Sequence, residues 1–309
     1  MTRRPDSERI VVTGLGAVTS IGCDVETLWR NLLGGRSGAA TITSFDTSPY
    51  KTHIGCEARD FDPEPVLGEH AARVGRASQL AIHASALALV DAGWRWCGPA
   101  RPVSAAGGSG ARSAAGFPSL DPERTAVSVG TTLGEPHVLE HMPESWDEWR
   151  SDSPVWSALV GAPCSVIARN VGAAFDLCGP NITIPTACAA GNYAIGHGVE
   201  FLRMGRADVV VAGGADAFSR SAFTGFSRLH AISSDACRPF DRNRSGLLLG
   251  EGAGVLVLET LESARARGAR IDVEILGYGL SCDAYHITGP HPEGEGARGG
   301  DEAGADAQG

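Results

Sequence analysis

Residues Asn181–Gly205 read "NITIPTACAAGNYAIGHGVEFLRMG". The opening "NITIPTA" is a short β-branched run that closes on a proline and small residues, as a strand end does. Beyond it Ile195, Val199 and Leu202 fall at i, i+4 and i+7, which is one buried face of a helix. A strand that turns directly into a helix presents the turn residue at the carboxyl edge of a sheet, where open α/β folds gather their chemistry. Cys188 occupies that turn. The first-turn N–H groups and the positive end of the helix dipole would lie beside its sulfur and favour thiolate over thiol. The same N–H groups suit an oxyanion on an acyl thioester. Ala187, Ala189, Ala190 and Gly191 leave space for a substrate. A cysteine so placed is either a nucleophile or a small buried hydrophobe, and the local pattern leaves both open.

Further strand-like runs surround this one: "RIVVTGLGAV" (Arg9–Val18), "TAVSVGTT" (Thr125–Thr132), "ADVVVAGGA" (Ala207–Ala215) and "GAGVLVLET" (Gly252–Thr260). Near-continuous Val, Ile and Leu at this length fits strands covered on both faces. Between them lie helical patterns, including "VETLWRNLLGG", "VWSALVGAPCSVIARNVGAAF" and "ASQLAIHASALALVDAGW". In the last of these Leu80, His83, Ala84, Leu87 and Ala88 keep helical spacing and Gly93 supplies the stop. Alternation of strands and helices predicts an α/β layered domain with a largely parallel sheet. A final strand-like run, "IDVEILGYGL", begins near Ile271. "CGPARPVSAAGGSGARSAAGFPSLDPER" (Cys97–Arg124) reads as an exposed loop.

The 309 residues suffice for one large domain or two medium ones, and 43% hydrophobic with 20% charged residues is ordinary for a globular protein. A net charge of −10 argues against nucleic acid as a partner, since no basic stripe is present to meet phosphates. No apolar run reaches the roughly 18–20 residues of a membrane span, and "MTRRPDSERI" leads into a strand without a signal-peptide core. A cytoplasmic setting follows by default. The eight cysteines are scattered without a CxxC pair, so neither a zinc ribbon nor a disulfide framework is indicated, and most are expected to be small buried hydrophobes.

Other motifs compete weakly. "HVLEH" (His137–His141) has the HxxEH spacing of inverted zinc proteases, but no third ligand block follows, and an acidic surface helix is the expectation. "GLGAV" (Gly14–Val18) reads as a glycine-rich turn without the spacing of a dinucleotide fingerprint. "GGADAFSR" (Gly213–Arg220) reads as a tight strand exit. Arg238, Asp241, Arg242 and Arg244 form a mixed-charge cluster, either structural or facing an acidic partner. No metal or cofactor is expected.

"PTACAAGNYAIGHG" resembles the nucleophile motif of β-ketoacyl-acyl-carrier-protein synthases of the thiolase-like superfamily. "RIVVTGLGAVTSIGCDVETLWRNLLGGRSG" is similar to that family's N-terminal signature. "GGADAFSRSAFTGFSRLHAISSDACRPFDRNRSGLLLGEGAGVLVLE" resembles its middle blocks, and "SCDAYHITGPHPEG" the entry to its second half. The resemblance runs in order from Arg9 to Gly296. It implies the N-terminal half of a duplicated α-β-α-β-α thiolase-like fold, pairing as a homodimer or heterodimer through strands of this half. It implies that Cys188 is the acyl-carrying nucleophile, with Thr132 and Leu133, in the "GTTLG" turn, near the acyl pocket. The implied partners are acyl carrier protein and acyl and malonyl thioesters. The implied reaction is Claisen condensation in fatty-acid or polyketide biosynthesis.

In that family two histidines and a lysine from the second half, the first histidine in a "HGTGT" block, complete the machinery. None of the nine histidines here stands in such a context; His286, in "AYHITGP", matches a family position without a catalytic assignment. The expected organisation is a synthase N-terminal domain over 1–265, the start of a second half over 266–291, and a tail over 292–309 too poor in apolar side chains to pack. After Arg298 the composition turns to Gly, Asp, Glu, Ala and Gln, which predicts an interrupted reading frame or a split enzyme. On this reading the chain alone forms an acyl-cysteine but no carbon–carbon bond, and the alternative role is a non-catalytic remnant or subunit that dimerises with, or is completed by, a second chain.

Overall fold

The computed structural model describes residues 4–100, 117–140, 161–286 and 289–306. In chain order the first elements are β1 (Ile10–Thr19), α1 (Val25–Leu33), β2 (Ala40–Thr41), β3 (Ile54–Gly55), α2 (Glu64–Leu67) and α3 (Arg76–Asp91). Then come β4 (Thr125–Gly130), α4 (Pro136–Glu140), α5 (Val166–Phe175), β5 (Asn181–Ile184) and α6 (Ala190–Arg203). The last are β6 (Val209–Asp216), α7 (Arg220–Arg228), β7 (Gly252–Thr260), α8 (Leu261–Ala266), β8 (Val273–Ile275) and α9 (Glu295–Asp306). Most of the Gly/Ser/Ala loop, the start of the helical pattern before α5, and His141 lie outside the described residues.

Six strands form one sheet in the order β5-β4-β6-β7-β1-β8. The sequence predicts a largely parallel sheet, and the pairing is mixed. β4 pairs in parallel with β5 and β6, whereas β7 is antiparallel to both β6 and β1, and β8 is antiparallel to β1. The cause is the connection between β6 and β7. It returns to the edge at which β6 ends, so β7 enters beside β6 in the reverse direction instead of crossing over.

Alternate residues of each strand face opposite layers. On one face Val127, Val129, Val211, Val255 and Val257 pack against Leu80, Ala84, Leu87 and Ala88 of α3 and Ile167, Val171 and Phe175 of α5. On the other, Ile10, Val12, Ala126, Val210, Ala212 and Leu258 meet Val199, Phe201 and Leu202 of α6. Val199 and Leu202, expected on the packed face of α6, are buried, and Ile195 is half-buried. α3 is buried on nearly every side because Ala58, Phe61, Val66 and Leu67 cover the face it turns away from the sheet.

The glycines read as a turn at Gly14–Val18 lie inside β1. A Cβ on Gly14 would stand 2.2 Å from the Ala88 carbonyl oxygen, and one on Gly16 1.9 Å from that of Ala84. These glycines bring α3 down onto the strand, a packing role that local composition does not distinguish from a turn.

The α6 side of the sheet is only partly covered. Leu15, Leu256 and Ile275 are half-buried, and Val273, Leu276 and Leu280 are exposed. α1 likewise leaves Trp29, Leu32 and Leu33 in solvent. The tail read as unable to pack contains α9. Its glycines stand in for apolar side chains: a Cβ on Gly279 would lie 1.9 Å from the Gly300 carbonyl oxygen, one on Gly304 3.3 Å from the Gly279 nitrogen, and one on Gly296 2.8 Å from the Asp283 Cβ. Tyr278 in turn lies on Gly196 of α6. Backbone-to-backbone approach thus gives this helix a seat that hydrophobic content does not announce.

Candidate active site

The carboxyl ends of β4, β5 and β6 lie in register, Gly130 opposite both Ile184 and Gly214. β5 leaves this edge through Pro185 and Thr186 and reaches α6 by way of one 3-10 turn, Ala187–Ala189. The strand therefore passes into the helix by a short tightened turn, with Cys188 at its centre. Ala187 has φ 54°, a left-handed conformation that a side chain disfavours by about 1–2 kcal/mol. Ala190 N–H donates to the Ala187 carbonyl and closes the turn. Pro185 through Ala189 are all exposed, so the Cys188 thiol opens to solvent at the start of α6.

Three glycines let the turn sit on the strand ends. A Cβ on Gly130 would fall 2.2 Å from the carbonyl carbon and oxygen of Ala190 and 2.5 Å from the nitrogen of Gly191. A Cβ on Gly214 would lie 3.3 Å from the Gly191 Cα. Gly130→Ala must therefore push the start of α6 outward. It is expected to lower stability by about 1–3 kcal/mol. Thermal unfolding measures that cost, and a changed alkylation rate at Cys188 shows that the turn has moved.

The expectation that most cysteines are buried does not hold. Cys97, Cys178, Cys188, Cys237 and Cys282 are exposed, and Cys23, Cys56 and Cys164 are half-buried. Each stands at an element end or in a loop, where small size does not carry it into the core. Burial holds the Cys23 thiol above its ordinary range, and the same is true of Cys56. Exposure alone consequently does not single out Cys188; its turn and its helix do.

Thr132 and Leu133 stand on the same edge, in the turn that follows β4. Thr131 N–H donates to the Ile184 carbonyl at 3.1 Å, which ties this turn to the end of β5. Both Thr132 and Leu133 are exposed. The turn is held by Asp216, the last residue of β6, whose carboxylate accepts from the Thr132 N–H at 2.7 Å and the Thr131 hydroxyl at 2.9 Å. Asp216 is missed in the sequence; the available signal is an acid directly after a glycine-rich strand end. Glu135, which follows the turn, is buried and accepts from Ser78 N–H at 2.7 Å and Ala77 N–H at 3.1 Å, capping α3. Burial pushes the Glu135 carboxyl up, and the bonds from Ser78 and Ala77 pull it down.

The other motifs resolve into structural uses. Glu140 of "HVLEH" accepts from Ser219 hydroxyl at 2.8 Å and Ser221 N–H at 2.7 Å, so its carboxylate serves the start of α7. Among the described residues no group of histidine, cysteine, aspartate and glutamate side chains is arranged to hold a metal ion. Among the same residues no helix is long and apolar enough to cross a membrane. Arg238 pairs with Asp235 at 2.7 Å, and Arg244 donates to the Asp241 carbonyl at 2.9 Å, which engages three of the four cluster residues within their own loop.

Residues 7–264 match the family described as Beta-ketoacyl synthase, N-terminal domain. The chain is 37% identical over 306 aligned positions to 3-oxoacyl-[acyl-carrier-protein] synthase 2 of Staphylococcus aureus (strain COL), covering 94% of this chain and 67% of that one. Among solved structures it is similar to the ishigamide ketosynthase/chain length factor, with a TM-score of 0.81 and 38% identity over 99% of this chain and 70% of the other. A β-ketoacyl synthase from Burkholderia phymatum STM815 matches with a TM-score of 0.79 and 30% identity over 97% and 70%. The order of strands, the turn that carries Cys188 and these likenesses agree, and the chain belongs to the β-ketoacyl synthase family, with the thiolase-like α/β fold of its N-terminal domain.

Proposed function

We propose that Cys188 accepts an acyl group from an acyl-carrier-protein thioester, as the first half-reaction of a β-ketoacyl synthase. The thiolate attacks the thioester carbonyl, the tetrahedral oxyanion faces the N–H groups at the start of α6, and collapse expels the carrier's thiolate, which takes a proton. The observation that carries this reading is the exposed thiol in the strained Ala187–Ala189 turn at the first residues of α6. Thr132 and Leu133 would border the acyl chain. Carbon–carbon bond formation with a malonyl unit, in fatty-acid or polyketide biosynthesis in the cytoplasm, is the reaction of the whole synthase, for which residues 1–265 form the nucleophile-bearing domain and 266–291 open the second. The histidine blocks that the family uses for decarboxylation do not occur in the sequence.

Labelling with cerulenin followed by peptide mapping tests this role. The expected result is modification of Cys188 ahead of Cys97, Cys178, Cys237 and Cys282, which are also exposed. Equal modification of all five would mark Cys188 as an ordinary surface thiol.

A second reading has its own support. The exposed Trp29, Leu32 and Leu33 of α1, with Val273, Leu276 and Leu280 beside the half-covered sheet, are suited to association. We propose on that basis that the chain also acts as one subunit of a homodimer or heterodimer, or is completed by a second polypeptide. The likeness to a ketosynthase/chain length factor pair supports it. Light scattering on the isolated chain is expected to give a mass of at least two copies, and a monomer throughout would count against self-association.

A further inference from the structure

The loop between α7 and β7 closes on itself. Ser233 N–H donates to the Leu247 carbonyl at 2.9 Å, and Leu247 N–H donates to the Ala231 carbonyl at 2.9 Å. Above this neck the Ser233 and Ser245 hydroxyls meet at 2.7 Å. Asp235 accepts from the Ser233 hydroxyl at 2.8 Å, from the Ala236 N–H at 2.7 Å and from Arg238 at 2.7 Å. Its carboxylate thus holds the backbone before Cys237 and the side chain after it. Cys237 stands exposed on this held stretch.

Beyond the neck the chain runs beside the residue that follows β3. Cys56 N–H donates to the Leu249 carbonyl at 2.8 Å, and Glu251 N–H donates to the Cys56 carbonyl at 3.1 Å. A Cβ on Gly250 would lie 3.1 Å from the Cys56 Cβ, so the missing side chain leaves room beside this half-buried thiol. Leu247 of the neck is only two residues from Leu249, and the loop that carries Cys237 is therefore rooted beside Cys56. Burial raises the Cys56 thiol, and a charge on Cys237 raises it further, which makes the two sulfurs electrostatic neighbours. Cys23, the other thiol that burial raises, is instead beside the carboxylates of Asp60 and Asp24.

We propose that Cys56 and Cys237 are a redox pair that closes to a disulfide under hydrogen peroxide and reopens to thiols on reduction. The exposed Cys237 thiolate attacks one peroxide oxygen, the O–O bond breaks, and a sulfenic acid forms on Cys237 with release of water. The Cys56 sulfur then attacks the Cys237 sulfur, the S–O bond breaks, and a second water leaves. Two thiols and one peroxide give one disulfide and two waters. In a reducing compartment the pair rests open. Closing it clips the 231–247 loop to the segment after β3. Neither cysteine takes part in the chemistry proposed for Cys188.

The test treats the full chain with one equivalent of hydrogen peroxide, blocks the remaining thiols with iodoacetamide and maps peptides without reduction. A peptide pair joined through Cys56 and Cys237 is expected, and dithiothreitol should separate it. Cys56→Ser should leave a sulfenic acid on Cys237 that dimedone traps. Cys237→Ser should give neither the linkage nor a dimedone adduct at Cys56. The closed form is expected to unfold at a midpoint about 5 °C higher, because the clip restricts the unfolded chain. Absence of the linked pair, or linkage of Cys237 to Cys188 or to a second copy instead, overturns the proposal. A linked form with a lowered midpoint does so too, since the loop would then have left its folded position to reach Cys56. If Cys56→Ser disturbs folding, the exposed Cys237→Ser and the wild-type midpoint decide the matter.

Discussion

Replacing Glu259 with alanine is expected to destabilise the chain by about 3–5 kcal/mol, the usual consequence of leaving one member of a buried ion pair alone. Glu259 on β7 is 0% exposed and pairs with Arg267, whose side chain is 15% exposed. The carboxylate accepts from Arg267 Nε at 2.9 Å, from the Thr13 hydroxyl on β1 and from Trp94 Nε1 at 3.4 Å. Arg267 also lies 4.4 Å from the centre of the Trp94 ring and donates to the Ala92 carbonyl at 2.8 Å. The pair thus joins the central strands to the end of α3 and the segment after α8. Alanine would leave a guanidinium and a threonine hydroxyl facing a hole. Glu259→Gln keeps the shape and the acceptor oxygen and should cost less. Urea unfolding of the two variants measures the difference; a loss under about 1 kcal/mol in Glu259→Ala would show that water replaces the carboxylate.

Acid should weaken the fold through His83. This histidine lies on α3, 7% exposed, edge-on to Phe61 at 5.1 Å, and its Nδ1 has no hydrogen-bond partner. Burial lowers its pKa from an ordinary 6.5 to about 4, against a smaller raising effect from Asp62. The folded state therefore holds neutral histidine where the unfolded chain takes up a proton. Stability is undiminished above pH 6.5 and falls as pH drops through 6.5 towards 4, by about 3 kcal/mol in total. His83→Leu removes the titration and the unpartnered nitrogen together. The difference between wild type and His83→Leu in unfolding midpoints at pH 7.5, 6 and 5 isolates this group from the carboxylates. A difference that does not grow on acidification would mean that His83 is hydrated in the fold.

Much of the architecture is legible in the residues. The Val-rich runs at β4, β6 and β7 and the helical spacing of α3 appear where the patterns place them. The stretch around Cys188 falls on a strand, a turn and a helix. Strand direction is not legible, because a buried run such as "GVLVLE" reads alike in a parallel or a reversed strand; the connection decides it. Close approaches through glycine are also hidden. Gly14 and Gly16 look like a turn and act as a seat for α3, and α9 packs through Gly300 where apolar content predicts nothing. The candidate site divides in the same way. Cys188 announces itself by standing between two periodicities. Asp216 does not, since its partners lie more than eighty residues away and only the parallel pairing of β4 with β6 brings them together.

The central claim is that Cys188 carries an acyl group. Intact-protein mass spectrometry after incubation with an acyl-carrier-protein thioester measures this directly. Wild type is expected to gain the mass of one acyl group, labile to hydroxylamine and mapped to the peptide containing Cys188, while Cys188→Ala gains none. A wild type that stays unmodified, or a Cys188→Ala variant that gains the same mass on another residue, would contradict it.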